Sequence, residues 1–177
     1  MRFLSIVLLL ACSGCVTPAL SNPQGNIPVV YMSYSSLFDQ VCENIFHQPI
    51  LLPAKTEGHR RQIEFINQWQ KDSPFFFRAL VRRLGRGFIR KEETISLTSC
   101  NIPSVSDPIL IPLKRWLIAL GGKEPIYGFS DVVFHELLHR YLSYSYNINK
   151  SALIRKYQKE NQQVLAHLHL MAVQKMI

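Results

Sequence analysis

The chain has 177 residues, 47% of them hydrophobic, and a formal net charge of +8. That is enough apolar content for one domain with a real core, and the lack of any internal repeat or low-complexity tract excludes a repeat array. Basic clusters at His59-Arg60-Arg61 and across Arg78, Arg82, Arg83, Arg86, Arg90 and Lys91 come without a nucleic-acid motif, so a solvated helix face, or anionic lipid heads and cell-wall polymers, explains the charge better than nucleic acid does.

The chain opens on Met1-Arg2-Phe3, a short basic start, and an apolar run to Ala11 that is too short to span a bilayer. Ala11-Cys12-Ser13-Gly14-Cys15-Val16 then resembles the lipobox of bacterial lipoproteins. The resemblance implies a signal peptide over 1–14, lipidation at Cys15 (Cys12 is the alternative) and a tether over 15–26 that leads to a domain over 27–177. It also implies an address in the bacterial envelope, membrane-anchored by the lipid on the outer membrane and facing the periplasm. With 1–14 removed and Cys15 lipidated, Cys42 and Cys100 are the only thiols. An oxidising envelope lets two such cysteines form a disulfide; two separately buried thiols are the alternative.

Ile27 to Met32 reads as a short strand. Ser36 to His47 repeats apolar residues at Leu37, Val41 and Ile45 and is predicted helical. Pro49 and Pro53 mark a break, and Arg60 to Lys71 is helical again on Ile63, Ile66 and Trp69. Ser73-Pro74 is expected to open a further helix, with the proline in its first turn, and Gly85 and Gly87 to end it. Thr94 to Thr98 alternates as a strand does. Pro108 to Leu113 is a second extended run, bracketed by prolines in the manner of an edge strand. The pattern predicts a single helix-rich α+β domain with a small sheet and two C-terminal helices.

Phe129 to Leu142 is apolar all round, as a buried helix is, yet it carries His135-Glu136-Leu137-Leu138-His139. Histidines four apart share a helical face, so both imidazoles can reach one ion, and Glu136 points into the same cleft. A plain core helix would have to satisfy three buried polar groups within one and a half turns, a difficulty that a shared metal removes. Ser130 and Asp131 are candidates to cap this helix, and Asp131, one turn before His135, is also a candidate acceptor for that imidazole. Arg140, Tyr141, Tyr144 and Tyr146 are candidate oxyanion donors.

The pentapeptide matches the HExxH motif at every fixed position and so resembles the zincin metallopeptidases. A chance match somewhere in this chain is roughly a one-in-a-hundred event. The resemblance implies Zn2+ held by His135, His139 and a third ligand. Glu136 is then the general base that takes a proton from a metal-activated water, with a peptide or protein as substrate. It also implies that a strand edge beside the helix takes extended substrate backbone, a role open to either predicted strand of the second half.

The metzincin continuation is missing, because Leu142 and Ser145 stand where its glycine and third histidine belong. Residues 151–177 form the helix expected to supply the third ligand. If Tyr144 to Lys150 is a tight hairpin, Glu160 comes level with His135, and His167 lies about 10 Å further along. If the connection is longer, His167 is level with the pair. His167 is favoured because a histidine in the apolar run Val164 to Val173 needs a reason; His169, about 200° around the helix, cannot share its site. The rival reading is a non-catalytic envelope lipoprotein whose zinc is structural, closed by His135, His139, Glu160 and His167, or merely sequestered.

Overall fold

The computed structural model describes residues 27–145 and 151–177. The proposed signal, Cys12, Cys15, the tether and Tyr146 lie outside the described residues. The elements are β1 (Val29–Tyr34), α1 (Ser36–Ile45), α2 (Leu52–Leu84), β2 (Glu92–Thr98), β3 (Val105–Ser106), β4 (Ile109–Pro112), a 3-10 turn (Ile118–Leu120), α3 (Tyr127–Ser145), α4 (Ala152–Lys156) and α5 (Gln162–Met176). Among the described residues no helix is long and apolar enough to cross a membrane.

The four strands lie in the order β1-β2-β4-β3. The first three are mutually parallel, and β3 closes the sheet antiparallel to β4. The run from Pro108 is therefore not an edge. β4 is buried along its whole length, as an interior parallel strand is. Its prolines sit in the turn before it and at its last residue, where a missing N–H costs the ladder least. The edges of the sheet are β1 and the two-residue β3, which is too short to register as an alternating pattern.

Helix α2 corrects a second expectation. It runs unbroken for 33 residues, with Pro53 in its first turn and Pro74 inside it. Pro74 has no N–H for the carbonyl four residues back, a defect that costs about 3 kcal/mol in a helix interior. Aromatic packing on both sides of the defect outweighs that cost. Trp69 contacts Phe76 and Phe77 at ring separations of 6.3 and 5.8 Å, and Phe76 stacks at 4.6 Å on Phe134 of α3. Each such buried ring contributes roughly 1.5–3 kcal/mol. Gly85, left-handed at φ 66°, ends the helix by giving its N–H to the Val81 carbonyl.

The main core lies between the sheet and helices α2 and α3, where Phe65, Leu80, Ile95, Ile111, Phe129 and Leu137 are fully enclosed. A smaller core of Cys42, Ile50, Ala54 and Cys100 lies beside it, crossed by a Cys42–Cys100 disulfide with Cα atoms 5.8 Å apart. Helix α1 turns its Asp39 and Cys42 inward and leaves Leu37 and Ile45 largely exposed, at 67% and 65%. Its apolar repeat is thus not its buried face, because a polar network holds the helix instead. Tyr34 Oη, Thr98 Oγ1 and the Ser99 amide all donate to the Asp39 carboxylate. Ser99 Oγ in turn donates to the Ala54 carbonyl. Gly58 makes room for this corner, since a Cβ there would lie 2.4 Å from the Tyr34 ring.

Candidate metal centre

Helix α3 begins at Tyr127, earlier than the expected Phe129, so Ser130 and Asp131 lie inside it rather than at its cap. Its first turn is tightened by bonds from Gly128 N to the Pro125 carbonyl and from Phe129 N to that of Ile126. The inner side of α3 buries Phe134, Leu137, Leu138 and Tyr141 in the core. The other side presents His135, Glu136 and His139 to a cleft of about 600 Å3. The site is thus built on a helix that the core holds rigid.

The expected single helix over 151–177 is two helices. Asn161 caps the second by accepting from the Val164 amide at 2.9 Å. Glu160 lies just before that cap, exposed, and the structure does not bring it to the cleft. His167 is brought there. Its ring centroid is 5.5 Å from that of His135 and 4.8 Å from that of His139, and the latter two are 5.0 Å apart. One ligand atom from each of the three lies within 4.8 Å of the others, close enough to hold one metal ion. His169 faces away, with Nε2 2.7 Å from Ser151 Oγ.

The protonation states suit coordination. His167 Nδ1 lies 2.8 Å from the Gln163 carbonyl, which can only accept, so this nitrogen is the donor and Nε2 is the atom left for a metal. His135 Nδ1 lies 3.2 Å from Gln174 Oε1, with the same consequence. Burial lowers His135 below the ordinary imidazole value, the Gln174 bond opposes this, and His167 adds to it. Burial, then the neighbouring His135 and His167, hold His139 down at about 4. Both rings are therefore neutral at pH 7. Burial pushes Glu136 up to about 7, partly offset by His167.

Comparison with family models, curated proteins and solved structures finds no match. The chemistry follows from the residues. Three imidazoles converging on one point suit zinc, copper, iron or nickel. Among the described residues no fourth protein ligand joins the three histidines, an arrangement that leaves a coordination position open.

Other expectations about the site change. Asp131 neither caps the helix nor meets His135; it lies on the exposed wall of the cleft, and Gln174 takes the acceptor role. Ser130 is buried without a partner for its hydroxyl. Tyr141 turns away from the cleft to donate to the Arg86 carbonyl, and Tyr144 lies near the guanidinium groups of Arg90 and Arg140. Arg140 is committed elsewhere. Its Nη1 donates to the Ser106 carbonyl and to Asp107, and its Nε lies 3.0 Å from Glu93. It thereby ties α3 to β3, the edge strand that lines the cleft with Pro103 and Ser104. Sequence reasoning missed β3, Gln174 and the cleft residue Arg115. Gln174 was readable as the third member of a helical stripe with Gln163 and His167, once the start of α5 is placed at Asn161.

Proposed function

We propose that the protein is a zinc-dependent hydrolase, and within that class a metallopeptidase, tethered by a lipid in the bacterial envelope. The observation that carries the reading is the meeting of His135, His139 and His167 in one cleft with the enclosed carboxyl of Glu136. His135, His139 and His167 would hold zinc, whose Lewis acidity would activate water near neutral pH and polarise a carbonyl. Glu136 accepts the proton of the attacking water and delivers it to the leaving nitrogen. A carboxyl pushed by burial to about 7 is matched to that shuttle. The edge strand β3 along the cleft supports an extended peptide as substrate. The closed structural site of the rival reading needs Glu160 as a fourth ligand, and that residue lies away from the cluster.

Glu136→Gln is the decisive variant. It should lower hydrolysis of a mixed peptide substrate by about 10²–10⁴-fold while keeping one equivalent of zinc and the native circular dichroism. Retained hydrolysis removes Glu136 from the chemistry, and loss of zinc or of the fold makes it a structural residue.

A further inference from the structure

We infer that Gln174 is a positioning residue of the metal centre, acting through His135; this rests on the metal-binding reading above. Gln163, His167, Leu170 and Gln174 lie at helical positions 0, +4, +7 and +11. At 100° per residue they fall within a stripe about 60° wide. Leu170 in that stripe is fully buried, which fixes α5 against α3. The two flanking polar members each hold one imidazole. The Gln163 carbonyl holds His167 within its own helix, and the Gln174 side chain reaches across to His135 on α3.

The two contacts differ in what they can do. His167 is held by a backbone group that substitution cannot remove. His135 is held by a side chain whose amide oxygen accepts from Nδ1. The His135 tautomer and ring orientation therefore depend on which residue occupies position 174. Without an acceptor there, Nδ1 and Nε2 compete for the hydrogen, and the ring is free to turn away from His139 and His167. Helix α5 thus contributes a ligand and, through Gln174, the group that aims a ligand of the neighbouring helix. Partners of this kind are worth 10–100-fold in metal affinity.

The test uses the full-length protein and reads zinc affinity by competition with a chromophoric chelator, together with the visible spectrum of the Co2+ form. Gln174→Leu is expected to bind zinc 10–100-fold more weakly and to show an altered Co2+ spectrum. Gln174→Glu, which also accepts from Nδ1, is expected to restore both affinity and spectrum. Leu binding as tightly as Gln, or Glu binding no better than Leu, overturns the inference while leaving the metal centre standing. A wild-type protein that takes up no stoichiometric zinc overturns both. Thermal unfolding of the metal-free variants shows whether a weaker affinity merely reflects an unfolded α5, and a loss of stability equal in Leu and Glu also counts against positioning.

Discussion

Burial acts in opposite directions on Glu136 and His139, because it disfavours an anion in one and a cation in the other. In the metal-free protein Glu136, raised from 4.5 to about 7, contributes stability that is complete below 4.5 and lost as pH rises through 7. His139, lowered from 6.5 to about 4, contributes stability that is present above 6.5 and lost as pH falls through 4. Between these limits the two trends oppose each other. Glu136→Gln removes only the first, so its stability relative to wild type should grow as pH rises from 4.5 to 7. Urea unfolding in a chelator across that range reads the difference, and a constant difference shows that the carboxyl ionises freely in the folded state. At this scale the sequence was informative where chemistry is local. The His135-Glu136-His139 spacing needs only a helix to work, and a histidine amid apolar neighbours marked His167. Gln174 is marked only by its place on the stripe of Gln163 and His167, because a glutamine by itself is ordinary on any helix.

Arg140 decides how firmly the cleft wall is held. Its Glu93 partner is 2% exposed and its Asp107 partner 77%, so the two ion pairs are not equivalent. Loss of one member of a buried pair costs about 3–5 kcal/mol because the other charge is stranded, whereas an exposed pair contributes about 0–1 kcal/mol. Arg140→Met should therefore destabilise more than Asp107→Asn, though Arg90, 3.8 Å from Glu93, keeps that carboxylate from being wholly stranded, and Arg140→Met/Glu93→Gln should recover part of the loss. Equal losses from Arg140→Met and Asp107→Asn in chemical unfolding would place the anchor at the hairpin rather than at Glu93. Elements were legible in proportion to how local their causes are. β1, α1 and β2 lie close to where alternation and periodicity put them. The unbroken α2 was not legible, because aromatic contacts to another helix override the proline rule at Pro74. The face that α1 buries was hidden too, since Asp39 and the disulfide, not Leu37 and Ile45, face inward.

The molecule has two cores with different means of support. The larger one joins the sheet to α2 and α3 and backs the histidine cluster, and the smaller one surrounds the Cys42–Cys100 bridge. Removing a disulfide that spans 58 residues typically costs about 2–5 kcal/mol, a large share of the 5–15 kcal/mol that holds a domain folded. Cys42→Ala/Cys100→Ala should lower the thermal midpoint markedly while the folded fraction keeps its full zinc content. A proportional loss of zinc would show that the two cores are not separable. The α+β layout was readable from the sequence, but this division was not, because nothing local reveals that Cys42, Ala54 and Cys100 meet. Asp39 adds a further consequence. Its carboxylate only accepts, and it is ringed by three donors that come from β1, the end of β2 and the residue after it. Asn has the same shape but would turn an amide hydrogen toward a donor. The corner joining β1, α1, α2 and β2 is therefore held through one carboxylate, whose loss would release donors from three neighbouring positions at once.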